Sequence, residues 1–367
     1  MKPFSFLSLY GKLESLVQKL PDALQQPILK EITPIKTLFL LQRAPRFVIL
    51  GQSGVGKVEF ANALFGSEAM QPGQENLSAG AWQTLAPVGR GALRVLDARR
   101  PVSLNMLKSA LSSEPPDLFL FVSSDGQSAE SLAEEMEHAE QVLAFAESGR
   151  STKARLLGLL VAGLGVDSER ARQDLHAKLH ARAQLSDRMA GTLALTAGGD
   201  NDRLAHLIAI EIPGETHLEM ARLSGNKVLQ KQIAQIIIKS VTAISAAIGA
   251  QPIPLADFPI LTSLQAAMVA SIMHISGREM SPKLAAEFIA AVGANLGVGL
   301  ALREGSRAIV KFVPFWGNAV SGAIAATGTY AMGRSATAYF IEGLSMKDAQ
   351  RILKGKPKEV NEPKLLK

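Results

Sequence analysis

Hydrophobic positions follow a helical period in the first 44 residues. Apolar side chains recur every three to four positions from Leu9 to Leu20, and again from Ile28 to Leu41. This spacing is typical of helices with one apolar face. We therefore expect residues 1–44 to form a helical extension that packs on the rest of the protein. The alternative is a helix that lies on a membrane surface.

Short apolar runs alternate with helical patterns between residues 45 and 213. Runs bounded by Gly, Pro, Asp or Ser predict strands at Arg46–Leu50, Leu93–Asp97, Leu118–Ser123, Leu156–Ala162 and Thr192–Thr196. Trp82–Val88 predicts a further strand that pairs with Leu93–Asp97 through a glycine turn. Helical patterns lie between them at Val58–Phe65, Ser128–Glu147 and Ser168–Ala183. This alternation predicts an α/β domain with a mostly parallel sheet and helices on both faces.

From residue 214 the chain becomes rich in Ala, Gly and Ile, which predicts a helical domain over 214–343. The uncharged run Phe312–Gly333 is 22 residues long, enough to cross a hydrocarbon core of about 30 Å, and Phe258–Gly277 is of similar length. The same composition also suits a soluble bundle of closely packed helices, so both alternatives stay open. Residues 344–367 predict a basic, disordered tail that could bind anionic headgroups.

Composition removes several classes of chemistry. The 367 residues contain no cysteine, which excludes disulfides, thiol nucleophiles and cysteine-bound metals. The net charge of +6 is compatible with anionic lipid or nucleic acid. The basic stretch Arg170–Arg188 has no interleaved aromatic residues, which argues against nucleic acid. The acidic run Glu130–Glu140 predicts the solvated face of a helix. The N-terminus does not match a secretory signal, so we expect a cytoplasmic protein.

The strongest chemical motif follows the first predicted strand. It has the glycine spacing and the lysine of a phosphate-binding loop, and it opens a helical pattern, as that loop requires. Such loops direct backbone amides at phosphate oxygens, while the lysine reaches the terminal phosphates. The candidate phosphate-binding residues are Gly51, Ser53, Gly54, Val55, Gly56, Lys57 and Val58. Val58 departs from the pattern, because a Ser or Thr hydroxyl normally ligates Mg²⁺ there.

The segment FVILGQSGVGKVEFANALFG resembles the strand, loop and helix of Era-like GTPases of the translation-factor class, and the resemblance covers about residues 46–200. The resemblance implies GTP and Mg²⁺ as cofactors. Binding of Mg²⁺ would be weakened because Val58 has no hydroxyl to ligate it. Thr84 lies in the interval of the switch I threonine, and Asp97 keeps the carboxylate of the Asp-x-x-Gly motif, so both are candidate metal ligands. Arg100 replaces the glycine of that motif.

The guanine motif is also incomplete. The resemblance implies that Asp167 accepts a hydrogen bond from the base, but Leu164 and Gly165 replace the expected Asn or Thr and the Lys. The last motif is matched loosely by Thr196–Gly198. The pattern is that of a pseudo-GTPase whose metal, switch and base motifs have each lost a group.

The C-terminal third resembles a bacterial helical module, domain of unknown function family 697. The matching residues are Ile248–Thr262, Gln265, Gly277, Phe312–Asn318 and Ala338–Gly343. The resemblance implies a helical and often membrane-associated partner to a GTPase domain, without an established chemistry.

Together these patterns predict a membrane-associated pseudo-GTPase that acts as a nucleotide-responsive or structural adaptor at the inner face of a membrane. Its helical domain would contact an anionic membrane surface or insert into the membrane. Two alternatives stay open. One is an active P-loop NTPase with slow GTP hydrolysis, in which water supplies the missing metal ligand. The other is a soluble scaffold that self-associates through its helices and keeps an empty phosphate loop.

Overall fold

The computed structural model describes residues 22–56, 79–87, 90–146, 154–163, 165–195, 201–250, 257–293 and 317–355, together with residues 18 and 60. These residues form two compact units. One is an α/β unit within residues 42–229. The other is helical and combines the described parts of 1–41 and 230–367. The N-terminal helix is thus grouped with the C-terminal helices.

The α/β unit is built on a six-stranded sheet with the spatial order β2-β3-β1-β4-β5-β6. Its strands are β1 (Arg46–Gly51), β2 (Trp82–Leu85), β3 (Leu93–Asp97), β4 (Leu118–Ser124), β5 (Arg155–Val161) and β6 (Met189–Leu195). All neighbouring pairs are parallel except β2 with β3. The predicted pairing of the segment after Trp82 with Leu93–Asp97 is confirmed, and the strand itself ends at Leu85.

Helices of this unit follow the strands. They are α2 (Leu104–Ser113), α3 (Ala129–Ala146), α4 (Ser168–His180), α5 (Ala183–Ser186), α6 (Asn201–Glu211) and α7 (His217–Ser224). Helix α1 (Asp22–Phe39) precedes them in the chain and belongs to the helical unit. Successive residues of β1 point to opposite faces of the sheet, yet Phe47, Val48 and Leu50 are all fully buried. Both faces of the sheet are therefore covered, as expected for parallel strands. The α/β class predicted from the sequence is confirmed.

The helices of this unit differ in part from the prediction. The single helix predicted over Ser168–Ala183 is divided, because α4 ends at His180 and the short α5 begins at Ala183. Helix α2 was not predicted at all, although Leu107 and Leu111 bury one side of it. Most of the predicted helix Val58–Phe65 lies outside the described residues. Phe60 itself is helical, and its N–H donates to the Gly56 carbonyl over 2.9 Å.

The helical unit contains α1, most of α8 (Lys227–Gly249), α9 (Asp257–Ile275), α10 (Pro282–Gly293), α11 (Gly317–Phe340) and α12 (Met346–Leu353). Helix α12 corrects the prediction of disorder for residues 346–353, while residues 356–367 of the predicted tail lie outside the described residues. Ser345 caps it by accepting the Asp348 N–H over 3.2 Å, and Ala349 is fully buried. The basic composition of this segment predicted disorder, although Ser345 is a favourable N-cap residue and Ala349 is buried.

Within the described residues, one helix is long and apolar enough to cross a membrane. It is α8, with a mean hydropathy of 1.4 over its most apolar window, and 56% of that window is buried inside the protein. The two runs predicted as possible spans, Phe258–Gly277 and Phe312–Gly333, do not meet these criteria of length and hydropathy over their described residues. Residues 312–316 of the second run lie outside the described residues. The core helix of a soluble protein has these same properties.

Candidate phosphate-binding site

The glycine-rich loop begins at the carboxyl end of β1. This strand lies between β3 on one side and β4 on the other, so the order of the strands along the chain reverses there. Ligands of open α/β sheets bind outside the carboxyl ends of the strands at such a point. Phe60 is helical and donates its N–H to the Gly56 carbonyl over 2.9 Å. The described residues thus place a glycine-rich loop at the position where such sheets bind ligands.

Glycine is required in this loop for two separate reasons. Gly51, Gly54 and Gly56 have φ angles of 92°, 78° and 80°, which side chains rarely adopt. In addition, a Cβ atom on Gly51 would lie 2.1 Å from the Val122 carbonyl oxygen, and one on Gly56 would lie 2.3 Å from Val122 Cγ1. The loop therefore lies directly against β4. Ser53 and Gly54 are exposed and Val55 is half-buried, while Lys57 and Val58 lie outside the described residues.

Gln52 attaches the loop to β4. Its N–H donates to the Val122 carbonyl over 2.8 Å, and its side-chain oxygen accepts from the Ser124 N–H at 3.0 Å and the Ser124 hydroxyl at 2.8 Å. This position is variable in the loop pattern, so the motif carried no signal for it. The contacts hold the exposed part of the loop beside the end of β4.

Arg99 joins the loop to Asp97. Its guanidinium donates to both carboxylate oxygens of Asp97 at 2.8 Å, and both side chains are almost fully buried. The same guanidinium donates through Nη1 to the loop carbonyls of Gln52, at 3.2 Å, and Val55, at 2.7 Å. Planar paired contacts of this kind are the strongest hydrogen bonds that arginine makes. One buried cation therefore holds the candidate metal carboxylate and the candidate phosphate loop together.

These residues do not fit Mg²⁺. Both oxygens of Asp97 are engaged by Arg99, and Val58 has no oxygen in its side chain. Thr84, the other predicted ligand, lies in β2, and its hydroxyl accepts from Arg94 at 2.9 Å. Thr84 pairs with Arg94 in the ladder, so it lies three residues from Asp97 along β3, or about 10 Å. The structure does not bring Thr84 to the candidate site.

Two further contacts hold the segment that follows Asp97. The Ala98 carbonyl lies 2.8 Å from Nε2 of the buried His138 on α3. Arg100, in the position of the motif glycine, donates to Glu134 at 2.8 Å and to Glu135 at 3.1 Å. The hydrogen bonds that Arg100 donates to the carboxylates of Glu134 and Glu135 raise its pKa above the ordinary value. Glu130, Glu134 and Glu137 of the acidic run are exposed, as predicted for a solvated face, whereas Glu135 is buried.

Asp167 is placed at the start of α4, where it caps the helix. One of its carboxylate oxygens accepts the Arg170 N–H over 3.1 Å. In the first turn of α4, a charge-assisted hydrogen bond from Arg172 lowers the pKa of Glu169 to about 2. The other residues of the guanine motif give little further information, because Leu164 and Thr196–Gly198 lie outside the described residues. Gly163 N–H donates to the Asp125 carboxylate over 3.0 Å.

Comparison with known proteins identifies only the C-terminal part. Residues 214–359 match the family model of a domain of unknown function, DUF697. This confirms the resemblance drawn from the sequence for the helical region, and it covers less than half of the chain. No GTPase family model matches the α/β unit, although its sheet is consistent with a nucleotide-binding fold. None of the curated proteins compared with the chain matches it.

Proposed function

We propose that the α/β unit is a GTPase-like domain that does not hydrolyse nucleotide, and that the chain serves as a membrane-associated adaptor. In this proposal the loop from Gly51 to Val58 contacts phosphate, with Lys57 as its cation. Asp167 contacts the base through the carboxylate oxygen that does not accept from Arg170. The DUF697 region supplies the contact with the membrane.

The observation that carries the proposal is the network around Arg99. In working GTPases the segment after this strand is ordered by the γ-phosphate and its Mg²⁺, and it is released after hydrolysis. Here the segment is held by protein contacts alone, through Arg99 to the loop and Arg100 to α3. Such a segment has no need of the γ-phosphate to become ordered, which supports an adaptor over a switch.

Hydrolysis would also lack its chemical components. Phosphoryl transfer depends on a metal that neutralises charge and on a residue that orients water. Asp97 is engaged by Arg99, Val58 offers no hydroxyl, and Arg100 stands where the switch glycine would lie. Removing such groups raises the barrier by several kcal/mol, and each 1.4 kcal/mol costs about tenfold in rate.

Turnover and binding of nucleotide by the purified full chain test this proposal. We expect no phosphate release from GTP or ATP that depends on Lys57, whether or not Mg²⁺ is present. The control for the variant Lys57→Ala is Lys178→Ala, which removes an exposed lysine paired with Asp174 on α4. Phosphate release that is lost in Lys57→Ala and retained in Lys178→Ala would favour the active NTPase instead.

Fluorescent GTP and ATP analogues then separate the two forms of the adaptor. Saturable binding that is lost in Lys57→Ala would support a nucleotide-responsive adaptor, and a preference for GTP would support the role of Asp167. Absence of binding would support a structural adaptor with an empty loop. The binding result does not test the absence of turnover, which is tested by the release of phosphate alone.

A further inference from the structure

We infer that Arg99 acts as a built-in cation in place of a divalent metal. The loop would then bind the phosphate groups of a nucleotide without metal, and would not distinguish a nucleoside triphosphate from a diphosphate. This inference rests on the proposed phosphate contact of the loop. The inference concerns how the site recognises its ligand. A domain that does not hydrolyse nucleotide could bind it either with or without a metal.

The first step of the argument is the position of the charge. The guanidinium of Arg99 carries a fixed positive charge and donates to both oxygens of Asp97, the carboxylate expected to face the metal in the Asp-x-x-Gly motif. It also reaches two carbonyls of the loop, which a metal bound to Asp97 alone would not do. The loop is thereby held in its conformation by a group of the protein, before any ligand arrives.

The second step is the cost of admitting a metal. Mg²⁺ binds through carboxylates and phosphates in a nearly octahedral arrangement of oxygens. Asp97 could join that arrangement only by releasing Arg99, whose side chain is 2% exposed. A buried guanidinium that loses its carboxylate is strongly unfavourable, because its charge is left without a partner. The folded protein therefore resists exchange of Arg99 for Mg²⁺.

The third step concerns the ligand. In metal-dependent sites the ion bridges the β- and γ-phosphate oxygens, which gives the triphosphate contacts that the diphosphate lacks. With Arg99 directed at carbonyls and at Asp97, that bridge has no counterpart. The segment Ala98–Arg100 is held by His138 and by the glutamates of α3, so it does not depend on the γ-phosphate either. We therefore expect GDP and GTP to bind alike.

The test is a titration of the full chain with fluorescent GDP and GTP analogues, each in Mg²⁺ and in EDTA. We expect the four dissociation constants to agree within about threefold, since no condition adds a metal contact at the loop and Lys57 can reach the β-phosphate of either nucleotide. The inference would be overturned if Mg²⁺ tightened binding of either nucleotide tenfold or more. It would also be overturned if GTP bound at least tenfold more tightly than GDP. This comparison needs only the wild-type chain.

Variants of Arg99 identify the cause. Arg99→Gln removes the charge and releases Asp97, so GTP binding should become tighter in Mg²⁺ than in EDTA, by about tenfold. Arg99→Lys keeps a cation and should retain metal-independent binding. The matched control is Arg94→Gln, on the strand β3 that precedes Arg99, where the arginine pairs with Glu114 away from the loop. Metal dependence that is unchanged in a folded Arg99→Gln protein would contradict the role of Arg99.

The result distinguishes this inference from the proposed function. If neither analogue binds under any condition, metal-free phosphate binding is refuted, while the adaptor without hydrolysis stands in its structural form. If phosphate release depends on Lys57, the proposed function fails. Circular dichroism of each variant shows whether it is folded, and the wild-type comparison decides the question if Arg99→Gln is not.

Discussion

Gly51 and Gly54 both have positive φ angles, but only Gly51 lies against another strand. A Cβ on Gly51 would meet the Val122 carbonyl at 2.1 Å, whereas a Cβ on Gly54 has no atom within 4 Å. The backbone of β4 cannot move aside as a flexible side chain could. The two positions therefore separate the cost of backbone strain from the cost of a steric clash.

We predict that Gly51→Ala destabilises the α/β unit far more than Gly54→Ala does. Gly54→Ala should cost about 1 kcal/mol, the price of a positive φ for a residue with a Cβ. Gly51→Ala adds overlap with β4 and should cost about 3 kcal/mol or more. Urea unfolding followed by circular dichroism measures both, with Gly126→Ala as the control because it has open space and an ordinary φ. Equal losses for Gly51→Ala and Gly54→Ala would show that strain alone accounts for the requirement.

The sequence identified the loop residues but not the partner of Asp97. Asp97 and Arg99 are two positions apart at the end of a strand, and residues with that spacing lie on the same face. The spacing was therefore visible. What it could not show is that the arginine folds back on the carboxylate and also reaches Gln52 and Val55, because those loop carbonyls come from a segment over 40 residues earlier.

At the scale of elements, an ion-pair cluster joins the starts of β1 and β4. Arg43 donates to both oxygens of Asp117, at 2.6 and 2.7 Å, and to Glu215 at 3.2 Å. Asp117 also accepts the Arg46 N–H over 2.9 Å, and its side chain is 4% exposed. The hydrogen bond to Asp117 raises the pKa of Arg43 above its ordinary value. Because this pKa is higher in the folded than in the unfolded chain, the pair contributes its full stability below the unfolded value, and that contribution is lost only as the pH rises through the folded value.

We predict that Arg43→Met destabilises the α/β unit by about 2 kcal/mol, because it leaves a buried carboxylate without its cation. This value is below the usual cost of breaking a buried pair, since the Arg43 side chain is 27% exposed and water screens it in part. The double variant Arg43→Met with Asp117→Asn should recover part of the loss. Urea unfolding at neutral pH provides the measurement.

The control for this cluster is Arg182→Met, which breaks the pair between Arg182 of the α4–α5 turn and Glu140 of α3. Both partners there are partly exposed, at 36% and 18%, so we expect a loss of under about 1 kcal/mol. Similar losses for Arg43→Met and Arg182→Met would contradict the importance of burial. No recovery in the double variant would show that Asp117 is not the group left unpaired.

Strands were easier to predict than helices for a physical reason. Strands inside the sheet are buried on both faces, so β4 contains the unbroken apolar run Leu118–Val122. Helix α2 was missed because its buried positions are only Leu107 and Leu111, among serines and a lysine. Helix α12 was missed because Ala349 is its one buried residue, and charged residues lie along the rest of it.

At the scale of the whole molecule, sequence order did not reveal which parts form one unit. Helix α1 precedes the α/β unit in the chain but is grouped with the helices after residue 230. It buries Ile28, Ile32 and Ile35 along one face, which the helical period did predict. The partner of that face depends on the fold of the entire chain, and no local pattern encodes it.

The proposed membrane contact concerns the whole molecule, and α12 offers a surface on which it can be tested. Lys347, Arg351 and Lys354 are exposed and spaced four and three residues apart, so they share one side of the helix and its last turn. Helix α8, the one candidate span among the described residues, has more than half of its apolar window buried. Attachment at the surface would leave α8 in place, whereas insertion would remove it from its packing. We therefore expect surface attachment.

We predict that the full chain floats with vesicles containing phosphatidylglycerol and remains unbound with vesicles of phosphatidylcholine alone. The variant Lys347→Gln, Arg351→Gln, Lys354→Gln should weaken binding by about 100-fold, because each cation near an anionic surface contributes about 1 kcal/mol. Salt at about 0.5 M should release the wild-type chain, since exposed charges are screened over a few ångströms at that concentration.

A matched variant of the α/β unit keeps the change in net charge the same. Arg170→Gln, Lys178→Gln, Arg203→Gln also removes three exposed cations, but from α4 and α6. If both triple variants lose binding equally, total charge and not α12 determines attachment. If the chain floats with neutral vesicles and resists salt, the apolar helices themselves enter the bilayer. A chain that stays at the bottom of the gradient with anionic vesicles as well would refute the membrane part of the proposal and favour the soluble scaffold.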